Sequence, residues 1–177
     1  MEKLCIDNLS TDQISGKRIL VRVDFNVPIS FLPDKSVKIL DDARIRAALE
    51  TIEYLISKDA KTILCSHFGR PKGRPSQQLS LAIVATKLSE LLGGRSVIFI
   101  HDCIGEDVEK AKNIMADRSV LLLENLRFHA EEEMNDLDFG RKLVKGVDVY
   151  VNDAFGSSHR GILIQIVCIL PQIFVSF

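Results

Sequence analysis

No excess of either charge marks this chain of 177 residues: 23 lysines and arginines stand against 24 aspartates and glutamates, a formal net charge of −1. That balance removes the global basic field that draws a protein onto nucleic acid, so any anion site must come from local clustering of arginines. The four cysteines, Cys5, Cys65, Cys103 and Cys168, include no CxxC pair. In a chain of this size they read as reduced thiols rather than the staples of a small secreted scaffold. Cys65-x-His67 and His101-x-Cys103 match no zinc template, and no metal is expected. Residues 1–10 lack a basic region followed by an apolar run, so a signal peptide is not expected. The apolar end, Ile162 to Phe177, is interrupted by Gln165, Pro171 and Gln172 and is too short to span a bilayer. Internal repeats, low-complexity linkers and the nucleotide motifs GxxxxGKS/T and GxGxxG are also missing. The expectation is a cytoplasmic domain with neither a membrane nor a nucleic-acid partner.

What is present is an ordinary globular composition, 46% hydrophobic and 27% charged, enough for one domain with a sizeable core. Lys17 to Asp24 is a β-branched run after Gly16 and predicts a first strand that cannot continue past Pro28. Residues 29–39 read as a loop. Asp41-Asp42 predict the cap of a helix over 43–57, with Ala48, Ile52, Leu55 and Ile56 on one apolar face. Thr62 to Ser66 is a second strand. Ser80 caps a helix to about Leu92, with Leu81, Val84, Leu88 and Leu91 on one side and Gly93-Gly94 as its stop. Val97 to Ile100, Val120 to Leu123 and Val147 to Val151 are further strands; helices are expected over 105–116 and 137–144. Five such strand–helix alternations predict an α/β fold, a three-layer doubly wound parallel sheet of Rossmann-like type.

In an open parallel sheet, ligands bind just beyond the carboxyl ends of the strands. Those ends supply Asp24 and Asn26, then His67 and Arg70, then Asn125 and Arg127, then Asn152, Asp153, His159 and Arg160. Arg44 lies near the first group, in the first turn of a helix, where the dipole disfavours a cation. Singly, each has an ordinary reading: an Asp after a strand is usually a cap, a loop Arg is usually solvated, and Glu131-Glu132-Glu133 reads as an exposed acidic face. Together, arginine forks from several segments match the oxygens of a small phosphorylated acid. Without a multiply charged anion between them, such forks are expected to repel.

Arg22-Val-Asp24-Phe-Asn26-Val-Pro28, Ser66-His67-Phe-Gly-Arg70-Pro71, Leu123-Glu-Asn-Leu-Arg127-Phe-His129 and Val151-Asn-Asp-Ala-Phe-Gly-Ser-Ser-His159-Arg160 resemble phosphoglycerate kinase in order and approximate spacing. The resemblance covers residues 1–160 and implies the N-terminal, phosphoglycerate-binding domain of a two-domain kinase. It implies phosphoryl transfer between 1,3-bisphosphoglycerate and ADP, with Mg-ATP/ADP held by a second domain. It also implies a 3-phosphoglycerate site formed by Asp24, Asn26, Arg44, His67, Arg70, Arg127 and Arg160, with Arg44 catalytic. A monomer is expected.

Residues 161–177 do not follow the family's pattern and read as a divergent apolar tail, like the product of a shifted reading frame or an unspliced intron. By the same resemblance, no nucleotide-binding domain is expected within these 177 residues. The sheet is therefore expected to lack its sixth strand, and the tail to pack poorly or promote association. Two other readings stand beside the kinase: an inactive fragment acting as an anion-binding domain, and a minor-groove hook at Gly69-Arg-Pro-Lys-Gly-Arg-Pro75.

Overall fold

A computed structural model describes residues 6–34 and 36–154 and the backbone of residues 173–175. The described residues open with a single 3-10 turn, Ile6–Asn8, and a short helix α1 (Thr11–Ile14). The backbone N–H of Ser10 donates to Gln13 Oε1 at 3.0 Å, closing one orphan donor at the helix start. The strands and helices that follow are β1 (Arg18–Val23), β2 (Ile29–Phe31), β3 (Val37–Ile39), α2 (Ala43–Ala47), α3 (Leu49–Ser57), β4 (Lys61–Cys65), α4 (Ala82–Leu91), β5 (Val97–Ile100), α5 (Glu106–Asn113), β6 (Val120–Leu123), α6 (Ala130–Glu133), α7 (Leu137–Val144), β7 (Val149–Asp153) and β8 (Ile173–Val175).

The main sheet has six strands in the order β5-β6-β4-β1-β7-β8, and every pairing is parallel. Side chains along a strand alternate between faces, and the sequence fills both. Ile19, Val21, Leu64, Leu122, Val149 and Val151 join one core with Ile52 and Leu55 of α3 and Val84 and Leu88 of α4. Leu20, Ile63, Leu121, Leu123 and Tyr150 join the other with Val108 of α5 and Phe139, Leu143 and Val144 of α7. Continuous apolar strands are what a sheet buried on both faces requires. The expected three-layer α/β fold is the one observed.

Four local expectations are corrected. Residues 29–39 form a two-stranded antiparallel hairpin, Ile29 opposite Ile39 and Phe31 opposite Val37, rather than a loop. The helix over 43–57 is broken at Ala48 into α2 and α3. Its first turn is capped by Asp41, whose Oδ1 accepts from the Ala43 N–H at 2.8 Å, while Asp42 instead accepts from Arg46 Nε at 2.8 Å. The sheet does have a sixth strand: β8 pairs in parallel with β7, Tyr150 opposite Ile173 and Asn152 opposite Val175. The remainder of the tail, with His159 and Arg160, lies outside the described residues, as do Cys5 and Cys168. Cys65 and Cys103 are free and buried.

Lys112 of α5 is nearly inaccessible, at 1%. Its Nζ donates to the carbonyls of Leu143 at 2.7 Å and Lys145 at 3.4 Å, so a side chain from one helix closes the C-terminus of another. Burial brings its pKa down to about 8.

Candidate functional site

Three strand exits are stapled together by side chains that hydrogen-bond backbone. After β4, Ser66 Oγ accepts from the Phe25 N–H beyond β1 at 2.9 Å. After β6, Asn125 is fully buried and uses both ends of its amide. Its Oδ1 accepts from the N–H groups of Phe68 at 3.0 Å and Arg127 at 3.1 Å; its Nδ2 donates to the carbonyls of Phe68 at 2.7 Å and Leu79 at 2.9 Å. The next turn, a 3-10 segment over Leu126–Phe128, follows directly. Glu124 ties in the start of α4, accepting from the Leu81 N–H at 2.8 Å and the Ser80 hydroxyl at 2.6 Å. These bonds exist because buried polar groups must be paired, and they bring the polar residues of separate motifs to one edge of the sheet.

Gly69 is the close-approach point. Its N–H donates to Asn26 Oδ1 at 2.9 Å and its carbonyl accepts from Arg127 Nη1 at 3.1 Å. Its φ is +61°, and a Cβ there would lie 2.7 Å from Leu79 Cδ2, so any side chain would be strained and would have to displace Leu79. Gly73, whose N–H donates to the Arg127 carbonyl at 3.2 Å, anchors the other side of the loop. The stretch read as a groove hook is thus folded onto the Arg127 turn.

Arg44 Nη1 donates to Asp24 Oδ2 at 2.7 Å, which explains a cation in the first turn of α2; its side chain is still 52% exposed. Arg70 is exposed. Arg127 is buried, its Nε 3.4 Å from Glu132 Oε2 and 3.8 Å from Glu133 Oε1. Asp24, Asn26, Arg44, His67 and Arg127 are therefore gathered on adjoining strand exits, Asp24 orienting Arg44 and Asn26 holding Gly69.

Two charged residues escaped the sequence reading. Arg22 interrupts the apolar run Leu20-Val21-Arg22-Val23 and is buried within β1. A charge at such a position was the available signal. Its Nη2 lies 3.6 Å from Glu132 Oε1 and 3.3 Å from His67 Nδ1, and its Nη1 has no hydrogen-bond partner among the described residues. Glu132, which in sequence reads as part of an exposed acidic face, is buried and bridges Arg22 and Arg127. Arg22, which was not among the forks expected to converge, and Arg127 therefore have a carboxylate of the chain between them.

His67 is buried beside these guanidiniums. Burial first, then the Arg22 and Arg127 charges, lowers its pKa to about 3, so the ring is neutral near pH 7. A guanidinium only donates, so Nδ1 accepts from Arg22 and the ring proton resides on Nε2, a neutral donor. The sign of the linkage follows. The unfolded chain binds a proton on this ring near pH 6.5 and the native chain does not, so the contribution is full above that pH and is lost towards pH 3. Urea midpoints are expected to fall over that window, with a shallower fall in His67→Gln; identical pH profiles for the two proteins would refute the assignment.

A cleft of about 810 Å³ lies elsewhere, lined by residues that include Ser76, Gln77, His101, Asp102, Glu124 and His129, and by none of Asp24, Arg44, His67 or Arg127. Among the described residues, Asp102, Cys103 and His129 form the one group of His, Cys and carboxylate side chains spaced to hold a metal ion. No helix among them is long and apolar enough to cross a membrane.

The family model for phosphoglycerate kinase matches residues 6–163. The chain is 57% identical over 160 residues to the phosphoglycerate kinase of Rippkaea orientalis and 56% identical over 160 residues to that of Gloeothece citriformis. Those matches take in 90% of this chain and 38% and 39% of the two relatives, so the chain spans about two fifths of their length. The phosphoglycerate kinase structure from Coxiella burnetii superposes with a TM-score of 0.81 at 28% identity, and that from Pyrococcus horikoshii with 0.83 at 32%. Nearly all of this chain is covered, 99% and 97%, against 42% of each of those chains.

Proposed function

Since the chain belongs to the phosphoglycerate kinase family, we propose that the arginine cluster is the 3-phosphoglycerate side of a phosphoryl-transfer site. The observation that carries this reading is the gathering of Arg22, Arg44 and Arg127 with neutral His67 at the exits of β1, β4 and β6 and the start of α2. Buried forks suit phosphate oxygens, and Arg22 Nη1, without a partner among the described residues, is a donor held for an acceptor.

The chemistry asks little of these residues beyond placement and charge. In the direction that consumes ATP the nucleophile is a carboxylate, ionised at pH 7, so no general base is required. A largely dissociative transition state spreads negative charge over the transferring phosphoryl. Arg44, half exposed and steered by Asp24, is the group that reaches it. Arg70, Arg127 and Arg160 hold the substrate's own phosphate, with His67 Nε2–H as a neutral donor. Mg-ATP/ADP is the second substrate. The described residues offer it no glycine-rich cradle, so none of these roles runs through the nucleotide.

Arg127→Ala is expected to weaken 3-phosphoglycerate binding by about 2–5 kcal/mol, since it removes one partner of a desolvated charged contact. Calorimetry on the two proteins checks this, and equal affinity would exclude the role. The second reading, anion binding without catalysis, is favoured by the share of the relatives' length that this chain covers.

A further inference from the structure

We propose that Asp102, Cys103 and His129 hold a zinc ion at the wall of the 810 Å³ cleft, which Asp102 and His129 line, with one coordination position left to water. This is independent of the phosphoglycerate reading, because none of the residues assigned to that site lines this cleft.

The three side chains offer one carboxylate oxygen, one sulfur and one ring nitrogen, all within 4.8 Å of one another. A tetrahedral ion with bonds of about 2.0–2.3 Å spaces its ligand atoms at roughly 3.5 Å, so closure needs shifts on the order of 1 Å. His129 Nε2 and Asp102 Oδ1 already stand at 2.7 Å, sharing a proton. The ion binds Nε2 of the neutral imidazole, whose single proton then sits on Nδ1; any second ring proton and the Cys103 thiol proton pass to solvent on ligation. A mixed sulfur, nitrogen and oxygen set with three protein ligands is the pattern of zinc sites that keep an open position.

Backbone hydrogen bonds hold all three ligands in place. The Glu124 N–H donates to the Asp102 carbonyl at 3.2 Å, tying the exit of β5 to that of β6. The Cys103 N–H donates to Asp102 Oδ1 at 2.7 Å. The His129 N–H donates to the Leu126 carbonyl at 3.1 Å, and its ring packs on Phe139 at 5.5 Å. The soft ligand, Cys103, is buried in the core, whereas Asp102 is exposed and His129 partly so. The ion therefore sits at the boundary, with sulfur inward and its open position towards the cleft. Cysteine and histidine here are 26 positions apart in the sequence, which is why no short spacing betrayed them.

Cobalt titrated into the reduced 177-residue protein is expected to give a tetrahedral visible spectrum with a thiolate-to-metal charge-transfer band, both bleached by zinc. Cys103→Ser should abolish the band, and His129→Gln, at a partly exposed position, should weaken zinc binding at least about tenfold. The double variant Cys5→Ser/Cys168→Ser should keep both signals, and circular dichroism confirms each fold. A cobalt complex with no thiolate band, a band that survives Cys103→Ser, or unchanged zinc affinity in His129→Gln overturns the proposal. The cobalt spectrum needs no variant, so misfolding of Cys103→Ser does not shelter it.

Discussion

The 177-residue polypeptide is expected to bind 3-phosphoglycerate and to show no ATP-dependent turnover above background. On the proposed reading, its arginines would neutralise the substrate phosphate and part of the charge on the transferring group. They cannot place a nucleotide in line with the acyl phosphate, and positioning of that kind accounts for about 7–11 kcal/mol of a barrier. Closure that excludes water from the reaction also needs a second body to close against. The motivating facts are the absence of GxxxxGKS/T and GxGxxG from the sequence and a coverage of 38% of the Rippkaea orientalis relative. A coupled assay on purified protein, run beside calorimetry with 3-phosphoglycerate, decides the matter. Robust turnover abolished by Arg44→Ala, which excludes a contaminant, would refute the expectation.

The other large effect is on stability. Glu132→Ala should cost about 3–5 kcal/mol, because it leaves Arg22 and Arg127 as buried charges without their shared counter-ion. Both arginine side chains are 9% exposed and that of Glu132 is 8%, so solvent cannot stand in for the lost carboxylate. Glu133 is the internal control. It approaches the same Arg127 at 3.8 Å but is 48% exposed, and Glu133→Ala should change stability by less than about 1 kcal/mol. Urea unfolding of the three proteins measures the contrast. Glu132→Ala within 1 kcal/mol of the parent, on the same scale, would mean that the bridge is not holding the arginines.

The strands were readable because burial on both faces fills them mainly with Val, Ile and Leu; Val120 to Leu123 carries no other residue types. The hairpin over 29–39 was not, because its paired stretches are three residues each and Pro28 sits at the entrance. Asp24, Arg44 and Arg127 were readable as site residues because they follow strands or begin a helix. Glu132 was hidden by its neighbours: three identical glutamates differ only in where Arg22 and Arg127 arrive, and that is decided by the packing of β1 against β4 and of β6 beyond it. Asn125 appeared among the polar residues at strand exits, but its task as a four-way backbone staple depends on Phe68 and Leu79, which sequence distance separates from it.

The strand order has a consequence for how the chain emerges from a ribosome. β1 lies in the middle of the sheet, yet it is synthesised first. Its neighbour on one side, β4, follows soon after. Its neighbour on the other side arrives far later: the contact that begins that pairing joins Arg18 to Asp148, 130 positions apart. Throughout that interval the nascent protein carries an apolar strand with one hydrogen-bonding edge bare, the arrangement most prone to pairing with other chains. Non-local parallel pairing is also slow to close once both partners exist. Chaperone demand during translation should therefore peak before residue 149 clears the exit tunnel and fall once β7 docks.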